Sequence, residues 1–191
     1  MDSLFKGLTL DKGIVNALKE NKITNISRPQ SEFGLRKYRA RVDLADNEVF
    51  TYLGSLIYIH LECGDIVAFR ANDVKNSIVT WFDVKDGVKE HVHGQSTGDE
   101  MQYDDPKYSD KERFQGIINE KILSIKVFTR KQPENIKNFI DSDEIAILFE
   151  SAKSNMLLAF RGNFKYKTVM PVLKLEEAPE GFFDGTEIIE L

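Results

Sequence analysis

The chain has one cysteine, Cys63, in 191 residues. A lone thiol cannot close an intramolecular disulfide, which excludes the stapled scaffolds of small secreted domains. No apolar run approaches the roughly 20 residues that span a bilayer. The first residues, Met1 to Lys6, lack the apolar stretch of a secretion signal. The expected location is the cytoplasm, and no membrane is expected as a partner. The phosphate-cradling patterns G-x-x-x-x-G-K-[ST] and G-x-G-x-x-G are missing, and so are G-x-S-x-G and H-E-x-x-H. The easiest nucleotide-binding, hydrolase and metalloprotease assignments go with them. Positive charge is also in short supply: 26 basic residues against 31 acidic ones give a net charge of −5. A general nucleic-acid binder needs the opposite balance, whereas an acidic surface suits a basic protein.

Hydrophobic residues make up 41% and charged residues 30%, a balance that folds rather than stays disordered. Thirteen Phe are enough to fill a core between sheets. The chain also nearly repeats itself. Ile59-His60-Leu61-Glu62-Cys63 passes through Gly64-Asp65 into Ile66–Asn72, which ends Ala-Phe-Arg-Ala-Asn; Ile147-Leu148-Phe149-Glu150-Ser151 passes through a longer turn into Leu157 to Asn163, which ends Ala-Phe-Arg-Gly-Asn. Each copy is a short apolar run, a Glu, a polar turn and a second apolar run, the pattern of a β-hairpin. The expected fold is α+β: mostly antiparallel sheet, two similar hairpin halves and two or three short helices. One compact domain, 1–191, is expected, with halves 1–93 and 111–191 joined by a polar loop at 94–110.

Leu10, Ile14, Ala17 and Leu18 form a helical stripe, so a helix is expected over 9–21, capped by Thr9 or Asp11. Ser27 to Ser31 reads as a loop around Pro29. Residues 35–44 alternate Lys37, Arg39 and Arg41 against Tyr38, Ala40, Val42 and Leu44, which predicts a half-buried strand with a basic face. Strands follow at 49–53, 55–62, 66–71 and 77–84, and Asp86-Gly87 predicts a turn into 88–93. Ser109-x-x-Glu112 matches a capping box opening a short helix to about Asn119. A strand at 121–129, helical turns at 133–140, a last strand at 166–175 and an irregular acidic tail at 176–191 complete the reading. Trp81, Phe69, Phe82, Phe128, Phe149 and Phe160 are expected in the core.

His91-Val92-His93 puts two imidazoles on one face of a strand, so both could reach one ion. With Glu100, and with His60 if the sheet folds that way, they would form a 2-His-1-carboxylate or His/carboxylate site for one divalent metal ion. The pattern resembles the first motif of the cupin family, in which two His flank one residue and a Glu follows. Such a resemblance implies a metal-dependent enzyme. It departs from that motif in the six residues between His93 and Glu100, and no later His is present for the second motif. The plainer reading of His-x-His is a solvated strand end.

Other residues have bland readings beside sharp ones. Cys63 is a small residue at a turn rather than a nucleophile, since His60 falls on the opposite face of a regular strand. Glu62 with Arg70, and Glu150 with Arg161, read as cross-strand ion pairs rather than as carboxylates acting together. Arg36, Lys37, Arg39 and Arg41 read as an edge guard rather than a nucleic-acid patch.

The leading functional expectation is a non-enzymatic binding module without a cofactor, similar in composition to bacterial immunity proteins: small, acidic and free of catalytic motifs. The candidate contact residues are Asp99, Glu100, Asp104, Asp105, Asp141, Asp143 and Glu144, with the acidic run Glu176 to Glu190 beside them. The alternative is the metal-dependent, cupin-like protein built on His91 and His93.

Overall fold

A computed structural model describes residues 5–29, 32–40, 42–74, 76–90, 99–131, 143–160 and 169–191, excepting the side chains of Glu32 and Phe33. The first helix, α1 (Lys12–Glu20), forms where its stripe predicts. Ile14 and Leu18 are fully buried. Asp11 caps the helix, its Oδ1 accepting from the Ile14 amide at 3.1 Å. A 3-10 turn, Leu8–Leu10, precedes it and leaves Leu10 exposed.

Eleven strands follow among the described residues, in two antiparallel sheets. The first sheet contains β1 (Ile23–Pro29), β2 (Leu56–Leu61), β3 (Ile66–Asn72), β4 (Ser77–Lys85), β5 (Val88–Lys89) and β6 (Glu100–Gln102). Their spatial order is β5-β4-β3-β2-β1-β6. The second contains β7 (Ser124–Arg130), β8 (Glu144–Glu150), β9 (Asn155–Ala159), β10 (Val172–Leu173) and β11 (Thr186–Glu190), in the order β10-β9-β8-β7-β11. The two orders follow one pattern. The first sheet is a five-strand meander and the second a four-strand one, and in each the first strand is joined on its free side by a strand from later in the chain.

The inner faces share one core. Ile57, Ile59, Val67 and Phe69 of the first sheet meet Ile125, Val127, Ile147 and Phe149 of the second. Phe69 and Phe149 pack edge to face at 5.8 Å. The mostly antiparallel α+β architecture is therefore the expected one, and its hairpins β2–β3 and β8–β9 are the two repeats.

Several local expectations fail for physical reasons. Residues 35–44 are not a strand: Glu32–Arg39 is a helix, α2, with Leu35 buried and Tyr38 half-buried against the core. The free side of β1 that such a strand would need is taken by β6. Arg39 pairs with Asp46, and Arg41 lies outside the described residues. Ser27–Ser31 is not a loop up to Pro29, because β1 runs through Ser27 and Arg28; Pro29 is its last residue, where a missing amide costs least. Residues 49–53 carry β-formers, yet Val49–Tyr52 is a helical turn, α3. It continues the 3-10 turn Asp46–Glu48, and packing decides it: Phe50 is fully buried at 5.3 Å from Phe114, and its amide donates to the Tyr108 carbonyl at 2.8 Å.

The Ser109 capping box does not form. Asp110 caps the 3-10 turn Lys111–Phe114, while the Ser109 hydroxyl turns back to the Tyr103 carbonyl. The stretch 94–110 holds a strand, β6, and the acidic tail holds another, β11. The strand expected at 166–175 is only Val172–Leu173 among the described residues. The turns expected at 133–140 lie outside them.

Candidate functional site

On β2 the odd residues Ile57, Ile59 and Leu61 enter the shared core, so Tyr58 and His60 face outward. β1 runs antiparallel beside it, with Asn25 opposite His60 and Ser27 opposite Tyr58. β6 closes the other side of β1 with Gln102 opposite Ser27 and Glu100 opposite Pro29. Three strands thereby bring a serine, an imidazole and a carboxylate together. Ser27 Oγ donates to Glu100 Oε2 at 2.7 Å and lies 2.8 Å from His60 Nε2. His60 Nε2 and Glu100 Oε2 are 3.9 Å apart.

A serine has one proton. If it goes to Glu100, Ser27 Oγ is an acceptor for His60, and the imidazole carries its proton on Nε2. Burial holds the His60 pKa below its ordinary value, against the opposing pull of Glu100 and Asp83. The imidazole is therefore neutral at neutral pH. Tyr58 is pushed up to about 12, first by burial and then by Asp83 and Glu100.

This is not a hydrolytic triad. There the imidazole stands between hydroxyl and carboxylate and takes the hydroxyl proton. Here the hydroxyl stands in the middle, and Ser27 has no exposed surface. The arrangement can pass a proton along a chain, or offer one imidazole nitrogen and one carboxylate to a cation. Among the described residues no group of three or more His, Cys, Asp or Glu could hold a metal ion.

Of the metal ligands read from the sequence, His60 and Glu100 do come together, while His91 and His93 lie outside the described residues. Ser27, the atom that links the pair, was invisible because its segment read as a loop. Of the candidate contact residues, Asp99, Glu100 and Asp104 are exposed and Asp105 and Asp143 are half-buried. Asp105 Oδ1 accepts from the Lys107 and Tyr108 amides, each at 2.9 Å. Asp141 lies outside the described residues.

Glu144 is withdrawn from the contact surface. It is 1% exposed. Its carboxylate accepts from the Leu8 amide at 2.8 Å, the Thr9 amide at 2.9 Å and the Thr9 hydroxyl at 2.7 Å. Burial raises its pKa, and those three donors oppose the rise. The residue ties the start of the chain to the second sheet.

The expected pair of Glu62 with Arg70 is corrected too. Arg70 stands opposite Leu56, and exposed Glu62 lies beyond the last β2–β3 pair, His60 with Ile66. Glu150 pairs with Lys126 of the neighbouring strand β7 at 2.6 Å, and Arg161, its expected partner, lies outside the described residues. Cys63 is exposed in its turn.

Arg28 escaped the sequence reading altogether. It is fully buried on β1, with Nη2 donating to the Met170 carbonyl at 2.9 Å and the Thr51 carbonyl at 3.4 Å. Its guanidinium lies 5.6 Å from the Phe50 ring centre. Nε and Nη1 have no hydrogen-bond partner among the described residues. Burial pulls its pKa down to about 9.

No protein-family model, curated protein or solved structure matches the chain.

Proposed function

We propose that the chain is a non-enzymatic protein-binding module that recognises a basic partner. The observation that carries this reading is the run from Glu176 to Glu190. It holds six carboxylates and no Lys or Arg, and all six residues are exposed. A second exposed acidic stretch, with Asp99, Glu100, Asp104, Asp110 and Glu112, adds to it. Fields of one sign steer an oppositely charged protein and speed its association. A solubilising role for the same charges would show no partner at all.

The test is a pull-down at graded ionic strength with the captured protein identified and its charge determined. A basic protein held at roughly 50 mM salt and released by about 300 mM supports the reading, because exposed charges are screened over that range. Capture that ignores salt, or no specific capture, counts against it.

A second reading rests on the 3.9 Å approach of His60 to Glu100. Those two groups could begin a site for one divalent metal ion, completed by the His-x-His pair. Elemental analysis separates the readings: about one equivalent of metal, lost on His60→Ala and on His91→Ala, favours a metal protein. Metal-free protein removes that reading.

A further inference from the structure

Among the described residues the two sheets end on four edges, and three are short. β5 and β10 have two residues each and β6 has three. The fourth, β11, runs for five residues in unbroken register with β7. Proteins protect sheet edges by keeping them short or by placing Lys, Pro or a bulge on them. β11 has no Lys, Pro or bulge, and the only charges on it are acidic, Glu187 and Glu190. Ile188 is 59% exposed and Ile189 is 40% exposed.

The backbone direction follows from two hydrogen bonds that bracket the strand. The Leu191 amide donates to the Ile125 carbonyl at 2.9 Å, and the Lys131 amide donates to the Gly185 carbonyl at 3.1 Å. Antiparallel pairs alternate between bonded and non-bonded. Residues 185, 187, 189 and 191 therefore face β7 with their amide groups. Ile188 and Glu190 turn theirs outward, where no described residue meets them.

Resting on the acidic-module reading above, we infer that β11 is the docking strand and that its occupant is an extended basic segment of another protein. The segment adds as a further antiparallel strand of the second sheet. Backbone bonds to Ile188 and Glu190 hold it; because Ile188 and Ile189 point to opposite faces of the strand, its β-branched side chains cover the isoleucine on one face while Lys or Arg at the alternate positions meet the carboxylate on the other. Charge selects this occupant: Glu180, Asp184, Glu187 and Glu190 are exposed along and before the strand, with no cation among them. A second copy fits less well, because it would bring Glu187 and Glu190 of both chains to one ladder with no cation on either strand.

The probe is an octapeptide alternating Lys and Val, set against a Lys/Pro octapeptide of equal charge that cannot form a ladder. The Lys/Val peptide should bind with salt-sensitive affinity and slow hydrogen exchange at the Ile188 and Glu190 amides. The Lys/Pro peptide should bind at least about tenfold more weakly. Ile188→Pro removes an outward amide while leaving the bonds to β7, and should weaken the Lys/Val peptide about tenfold or more. Ile188→Thr keeps that amide and should stay within about threefold.

Equal binding of the two peptides, indifference to Ile188→Pro, or a dimer that already protects those amides without peptide would overturn the proposal. Binding that is lost in Asp104→Lys/Asp105→Lys but not in Ile188→Pro would overturn strand addition and leave the acidic-module reading standing. No binding of either peptide, with no basic protein captured by pull-down, would remove both.

Discussion

Superposed by their hairpins, the two sheets differ most in where they keep polar groups. Position 60 of the first corresponds to position 148 of the second, and their β1 and β7 neighbours correspond through the registers Ser27–Tyr58 and Phe128–Ala146. So Ser27 and His60 stand where the second sheet has Phe128 and Leu148. In the second sheet that outer patch is apolar and covered by Leu175, Phe182 and Phe183. In the first it is a hydrogen-bonded serine, imidazole and carboxylate. The same scaffold is built both ways, so the polar version is not something the fold requires.

The buried charges differ in the same instructive way. The second sheet buries an anion, Glu144, with three donors on it. The first buries a cation, Arg28, with two of its nitrogens unpartnered among the described residues. A buried charge is tolerated in proportion to how well its hydrogen bonds are met.

The largest expected effect breaks the tie held by Glu144. Glu144→Ala leaves the buried Leu8 amide and the half-buried Thr9 amide and hydroxyl without an acceptor and should lower unfolding free energy by about 4 kcal/mol in urea titration. A loss under about 1 kcal/mol would mean that water replaces the carboxylate.

Arg28→Met should act in the opposite direction, raising stability at neutral pH by about 3 kcal/mol because an apolar side chain of similar length needs no partners. The pH dependence checks the cause. The Arg28 pKa is lowered to about 9 in the folded state. Below that value the folded chain bears the full cost of the buried charge. As pH rises from about 9 toward the unfolded value, that cost is relieved and the wild type gains stability. The advantage of Arg28→Met should therefore shrink above pH 9, and a constant difference would rule out the buried charge as its source.

The hairpin turns sharpen the comparison at smaller scale. Ser151 Oγ accepts from the Lys153 and Ser154 amides at 3.1 and 3.0 Å and donates to the Gly116 carbonyl. Cys63, its counterpart, is exposed. Ser151→Ala should cost about 1.5 kcal/mol and Cys63→Ala less than about 0.5 kcal/mol by thermal unfolding. Equal losses would deny that only the second turn is braced.

The smallest effect tests the polar cluster itself. His60→Leu installs the twin's residue, and its effect on stability at neutral pH should be under about 1 kcal/mol in either direction. The wild type should lose stability as pH falls from about 6.5 through the lowered His60 value, because the unfolded chain takes up the proton first. His60→Leu should lack that acid-side slope. An identical slope in both proteins would place the titration elsewhere.

Much of the scaffold was legible locally. The β2–β3 and β8–β9 hairpins, α1 and the Phe-rich core follow from runs of apolar residues and from turn residues, which act over a few positions. What failed involved partners far along the chain. Lys37 and Arg39 alternate as a strand would, but β6 had already taken the only edge beside β1. Thr186–Glu190 lies in a segment broken by glycine and proline, and it becomes a strand because β7 offers a free side. His60 and Glu100 were named as a pair from their chemistry, while Ser27 could join them only once β1 was known to exist.

The amino-acid order by itself determined a duplicated antiparallel scaffold with a net negative charge and no intramolecular disulfide, because hairpin pattern and net charge are local or additive properties. Tertiary structure alone decided which carboxylate is buried as a clasp, which serine meets an imidazole, and which edge is left open. Those depend on strand neighbours and register, which are set by competition among segments for the same sheet edges and the same core.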